Sequence, residues 1–509
     1  MAAFVLEHTD RSGLELEHTF PAQDPDSSMF DDRSANDLAR GKGGYLALST
    51  ESDHLGSLSL VGGLQQLDAM GEFQVNSLLT HENRLVLRNY WTQATWQTPC
   101  SGSVCTSVSA GWAHGAAMRN TELHLTGAPA FMYLPNYEYR AFNGSANVDW
   151  TPVTGLALRL GVDAEHDEEG IPYYTQVARE PVGFIPAGDR TDVGMDADDQ
   201  RSVVLKQTGA YFQARTTPMP TQLPGFRLTG SVRADAVWQG DINFPLQTNW
   251  RTAAAYEFSP EVAARLIAGQ AFQTPSAVLT FARPGSGNAG NIVGNDTITP
   301  RPEPLTPQTV TSAEAATTLR LFEVLALEGG VYYQQLEDSI EFVRHAANYR
   351  AVNRDETRHN VGVEATLRYA ETRVSAYLSG SFQRTIVDGS LASDPPEGFP
   401  NAFALLGADL KVPEAFLFAN AGLRWVGERG ASQANVWVNN DEFYPLPSYG
   451  LVDLTLSTLG LRLLGDTTQT RFALGARNLL DTRYSEPGYG GFDIPSLGRR
   501  LFLEARLIL

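Results

Sequence analysis

The chain has 509 residues, a formal net charge of −20, 46 glycines and only two cysteines. No run of about 18 apolar residues occurs, so no transmembrane helix is encoded, and the acidic balance disfavours nucleic acid as a partner. Lysine is confined to Lys42, Lys206 and Lys411, and arginine supplies the other fixed positive charge.

The opening Met1–Glu7 has neither a basic region nor an apolar core of signal-peptide length. The expectation is therefore that the chain begins inside a longer protein or comes from a damaged gene. Residues 12–19 read as a strand, followed by an acidic segment from Asp24 to Asp37. Four strand pairs follow: 43–51 with 55–63, 71–79 with 84–96, 105–113 with 119–126, and 137–150 with 155–165. Each pair is expected to have a short internal turn and a longer loop after it.

The second half repeats this rhythm, with short turns at Ser259-Pro260, Glu323, Glu371-Thr372 and Pro413. Long loops are expected near 166–200, 275–305, 337–355, 386–397, 428–446 and 481–497. Many strands run 12–17 residues, whereas strands of soluble proteins average about five or six. Alternation is clean: Phe226, Leu228, Val232 and Trp238 on one parity, Arg227, Arg233 and Asp235 on the other. Trp150, Trp238, Trp425, Phe258, Phe322 and Tyr369 fall at or near strand ends, where a membrane interface collects aromatics. The expected fold class is all-β, a transmembrane antiparallel barrel of about 22 strands. Leu158, Val232, Val363, Leu454 and Leu503 should face lipid, and Arg159, Arg233, Glu364, Asp453 and Glu504 the lumen. The last strand, 501–509, is expected to pair with 12–19.

The end of the chain carries a recognisable order of features. A strand, Arg471–Arg477, is followed by Asn478-Leu479-Leu480-Asp481 and Tyr484, then Gly498-Arg499 and a terminal amphipathic strand. This resembles the C-terminus of TonB-dependent outer-membrane receptors, although the chain ends on Leu509 where that family usually has an aromatic residue. Further segments are similar to the family's strand signatures: Gln270–Ser276, Leu305–Pro307 with Glu314, Val331–Tyr333, Asn360–Glu364 and Pro447–Tyr449.

The resemblance implies import of a scarce large solute across the outer membrane of a Gram-negative bacterium, iron–siderophore complexes being the commonest substrate. It implies no enzyme activity and no cofactor. The implied partners are outer-membrane lipid, the barrel-insertion machinery, an extracellular ligand such as a metal chelate, and TonB where a plug is supplied. In the family a plug fills the lumen and receives the pull of TonB. Residues 1–11 are expected to be the remnant of such a plug, and 12–509 the barrel. A plugless passive pore, or a barrel that transports nothing, is the alternative expectation.

Candidate sites are few. Cys100 and Cys105, with four residues between them, suit a small disulfide in an oxidising compartment, placed here in an outer loop. Tyr173, Tyr174, Phe184, Arg190 and Phe443 are the loop residues best suited to contact substrate. Asp192, Asp196, Asp198 and Asp199 have hard-cation chemistry without the spacing of a calcium loop. Gly285–Gly290 matches a dinucleotide fingerprint but lies in a loop between strands, which is the wrong context. No metal site and no catalytic set is expected.

Overall fold

A computed structural model describes the chain apart from residues 1, 11–37, 71–72, 75–76, 79–82, 125–129, 172, 194–201, 217–224, 283–292, 296–297, 299, 301, 346–347, 393–394, 396, 440, 463–468, 489–492, 497 and 509. The expected strand at 12–19, and with it the pairing proposed for the last strand, lies outside the described residues. So do Asp196, Asp198, Asp199 and Gly285–Gly290.

The wall is one antiparallel sheet of 22 strand segments, two of which (Ile242–Asn243 and Ser390–Leu391) are only two residues long. Its long strands are β1 (Ala2–Asp10), β2 (Leu38–Ser52), β3 (Gly56–Ala69), β4 (Leu85–Gln97), β5 (Val104–Ala117), β6 (Glu138–Val153) and β7 (Leu156–Gly170). Then come β8 (Ser202–Thr216), β9 (Phe226–Gln239), β10 (Gln247–Ser259), β11 (Val262–Gln273), β12 (Gln308–Phe322) and β13 (Leu325–Glu337). The rest are β14 (Arg358–Ala370), β15 (Val374–Val387), β16 (Ala402–Val412), β17 (Leu417–Val426), β18 (Tyr449–Thr458), β19 (Gln469–Arg477) and β20 (Arg500–Ile508). Each pairs antiparallel with the next in sequence, so the topology is an up-and-down meander.

The alternating pattern decides which face meets lipid. Val232 is 58% exposed and Leu503 79%, and register puts Leu158, Val363 and Leu454 on the same outward side. Apolar exposure on this scale in a folded chain marks a membrane-facing surface. The opposite face carries paired charges. Arg233 donates to Asp163 at 2.6 Å and to Asp235 at 2.6 Å, Arg159 pairs with Asp149 at 2.7 Å, and Arg477 with Asp453 at 3.0 Å. Where a lumen aromatic lies flat on the wall, the neighbouring strand supplies glycine. A Cβ on Gly161 would sit 2.3 Å from the Tyr211 ring.

Three sequence expectations change. First, the described residues of 71–79 and 119–126 are not wall strands. β3 continues through Leu67-Asp68-Ala69 and pairs directly with β4, and β5 pairs with β6. The polar run Gln65-Gln66 falls in the loop expected after 55–63, yet it is strand: beyond the lipid zone outward positions become polar, and Gln66 accepts from the Arg88 guanidinium at 2.9 Å. Second, this shifts the loop phase. The Cys100–Cys105 disulfide is formed, but it closes the short turn between β4 and β5. Cys105 pairs in register with Asp149, beside the short β6–β7 turn, so the bridge lies on the short-turn side and not in an outer loop. Third, residues 2–10, within the segment expected to be a plug remnant, are strand and belong to the wall sheet. They form β1, in register with Leu38–Leu46 of β2.

The outer loop belt as candidate functional site

The long connections leave the same rim of the wall, and several of those the structure describes pack on one another. Phe131–Asn136, Tyr173–Ala178 and Arg190–Val193 make a three-stranded sheet above β5–β8. On one side of it Tyr174 packs edge-on against Tyr133, ring centroids 6.0 Å apart, together with Leu123. On the other side Tyr173 joins Ile171, Val203, Ala277 and Phe281. The last two belong to the short helix α1 (Ala277–Phe281), so this core ties the 171–201 loop to the 274–307 loop.

That loop is tied onward. Val293 N–H donates to Tyr349 O at 2.8 Å, and Asn295 Nδ2 to Ala351 O at 2.8 Å, which fixes it to the hairpin Ile340–His345 and Asn348–Asn353. Glu341 of that hairpin takes Arg354 at 3.1 Å and also Arg358. Beyond it, Glu397 accepts the backbone N–H of Gln433 at 2.9 Å. Burial pushes the Glu397 carboxyl above the ordinary glutamate range, and that N–H bond only partly offsets it.

The final segment of the belt is the best buried. α2 (Gln433–Val438) is capped by Ser432, whose Oγ accepts from Asn435 N at 3.2 Å. Asp493 is fully buried and accepts from Asn435 Nδ2 at 3.1 Å, Tyr444 OH at 2.9 Å and Gly488 N at 3.2 Å. Arg429, 1% exposed, pairs with Glu486 at 2.7 Å, donates to Pro447 O at 3.1 Å and stacks on the Tyr449 ring. Burial, with the Asp493 carboxylate next in weight, raises the Tyr444 hydroxyl well above its ordinary value.

The C-terminal motif is what anchors this segment to the wall. Asn478 adopts φ 50°, its Oδ1 accepts from Thr482 N at 2.9 Å, and its own N–H donates to Asp453 at 2.8 Å. Asp481 Oδ1 accepts from Arg499 N at 2.8 Å. Gly498 adopts φ 64°, and a Cβ there would stand 3.0 Å from Asp481 Oδ1, so glycine is required. Tyr484 stacks on Tyr449 at 3.8 Å, continuing the pile on Arg429. The motif therefore ties together the loop-side ends of β18, β19 and β20.

A family model for the TonB-dependent receptor-like β-barrel matches residues 12–479. The chain belongs to that family. The iron transporter FrpB of Neisseria meningitidis superposes with a TM-score of 0.65 at 14% identity, covering 100% of this chain and 76% of that one. The copper transporter OprC gives 0.67 at 15%, covering 99% and 75%, and the ferric yersiniabactin uptake receptor FyuA of Yersinia pestis 0.67 at 12%, covering 100% and 74%. At such identity the likeness is one of fold. No curated protein sequence matches the chain.

Within this receptor-like barrel the five residues singled out for substrate contact divide. Tyr174 is buried and Tyr173 half-buried, both used in packing the belt. Phe184 is fully exposed at the tip of the connection between Ala178 and Arg190, Arg190 is exposed at its base, and Phe443 is 39% exposed after α2. They lie on two separate loops and form no single cluster. Among the described residues no group of three or more His, Cys, Asp or Glu is placed to hold a metal ion. Asp192 accepts from Thr175 Oγ1 at 2.8 Å within the three-stranded sheet, a structural bond. The buried pair of Arg429 and Asp493 has no local sequence signal, because its partners come from other loops.

Proposed function

We propose that this barrel is the wall and outer vestibule of a TonB-dependent receptor importing a metal chelate, an iron–siderophore complex first among them, across a Gram-negative outer membrane. The observation that carries the reading is the belt. A passive pore needs only a wall, whereas here loops between 118 and 499 are tied by hydrogen bonds and apolar packing into a shaped rim above a charged lumen. Phe184, Arg190 and Phe443 are the exposed side chains that meet ligand: two aromatic faces for an organic chelator and a guanidinium for an anionic complex. Tyr173 and Tyr174 hold the loop that presents Phe184 and Arg190.

The test is uptake in cells producing the natural full-length receptor, with and without TonB, across ferric hydroxamate, catecholate and citrate and a cupric chelate. Saturable, TonB-dependent uptake of one chelate is expected. Equal, unsaturable entry of all of them without TonB would overturn the reading in favour of a passive pore.

A further inference from the structure

Outward-facing cations are gathered on one arc of the wall. Along the lipid-facing parity, Lys42 of β2 stands opposite Gln66, and Gln66 opposite Arg88 of β4. The next outward residue, Tyr90, is opposite His114, and His114 opposite Arg140. The next on β6, Phe142, is opposite His166, which is followed by Lys206 of β8 and Trp238 of β9. All lie toward the long-loop ends of their strands. On β10 to β20 the same parity carries only Arg384 among lysines and arginines at its described positions.

Two of the three lysines in the chain are on this arc, and both are exposed. Arg88 is held by neutral groups, Gln66 Oε1 at 2.9 Å and Tyr90 OH at 3.1 Å, so it is oriented while its charge stays uncompensated. The carboxylates of the arc are taken up by other arginines: Asp68 by Arg84 at 2.8 Å, Glu138 and Glu168 by Arg140 at 3.3 and 4.0 Å. Among the described residues Lys42, His166 and Lys206 make no ion pair. Between the two basic ends runs an aromatic stack, Tyr90 parallel to His114 at 6.4 Å and His114 to Trp112 at 6.3 Å, with Phe142 51% exposed beside it.

Cations at headgroup level, above aromatics and a leucine-rich lipid face, are the chemistry of an anionic lipid headgroup. We infer that the β2–β8 arc binds a phosphate-bearing lipid of the outer leaflet. Lys42 and Arg88 at one end, and Lys206 six strands away at the other, take the phosphates of neighbouring headgroups, and the Tyr90–His114–Trp112 stack and Phe142 lie along sugar or glycerol and first methylenes between them. Solute capture by the belt does not depend on this surface, so either reading can fail alone.

The test uses the full chain in uncharged detergent micelles, with retention of diphosphoryl lipid A read by native mass spectrometry. Lipid A should be retained, while its dephosphorylated form and phosphatidylcholine are not. Inorganic phosphate should produce no adduct. The triple variant Lys42→Gln, Arg88→Gln, Lys206→Gln should weaken retention by at least about tenfold, and Arg384→Gln on the opposite arc should leave it unchanged. Equal retention of phosphorylated and dephosphorylated lipid by the unaltered protein would overturn the proposal, whether or not the triple variant folds. So would equal loss from Arg384→Gln, or binding of free phosphate alone.

Discussion

The two rims of this barrel are built on opposite principles. At the short-turn rim the chain reverses within a few residues, as between Val153 and Leu156 or Ser259 and Val262. The disulfide there, Cys100–Cys105, spans a sequence separation of 5. At the long-loop rim the decisive bonds join residues far apart: Asn435 to Asp493 at a separation of 58, Asn295 to Ala351 at 56, Gln239 to Pro275 at 36. The difference teaches that one rim only closes strands, while the other is a second folded layer with its own buried polar core. Such a layer can be rigid enough to select a ligand without being part of the wall.

Breaking the belt should leave the wall intact. Asp493→Ala strands two buried donors and the half-buried Tyr444 hydroxyl, and loss of about 3–5 kcal/mol is expected in the local stability of 427–448 and 485–496. Hydrogen exchange should show it there and nowhere in β1–β13. Exchange rising across the whole barrel would mean that rim and wall are one cooperative unit.

Breaking the wall is a matter of face. Val363→Arg, outward, should cost roughly 2–4 kcal/mol on refolding into vesicles. Ser381→Arg, on the lumen side opposite Glu364, should cost less than about 1 kcal/mol. Equal costs would contradict the assignment of faces.

At the short-turn rim, Cys100→Ser with Cys105→Ser removes a small loop closure worth about 2 kcal/mol. After reduction the two thiols should react with an impermeant maleimide only once the outer membrane is opened. Labelling on intact cells would return the bridge to the outer side.

The smallest effect is a pH dependence confined to the belt. Tyr444 has its folded value raised above the unfolded 10.0, so its contribution is complete below that pH and is lost as pH rises beyond it. Protease cleavage within 427–448 should increase above pH 10 in the unaltered protein. Tyr444→Phe should abolish the dependence on that group, and an unchanged alkaline profile would show that another residue sets it.

Much of this was legible in the sequence because a membrane wall obeys a local rule. Lipid on one side and water on the other force strict alternation, so Val232 against Arg233 and Leu503 against Glu504 reveal their faces without any partner. The C-terminal motif was legible too, since Asn478, Asp481 and Gly498 each answer a backbone demand within a short stretch. The rule weakens where lipid ends. Gln66 and Asp68 remain strand but lose the apolar signal, which is why the loop phase, and with it the side on which Cys100 and Cys105 lie, was decided only by the pairing of β3 with β4. The belt lay wholly beyond the sequence. Burying Arg429 and Asp493 is tolerable only when Glu486, Asn435 and Tyr444 arrive from distant segments to satisfy them, and that convergence exists only in the folded chain.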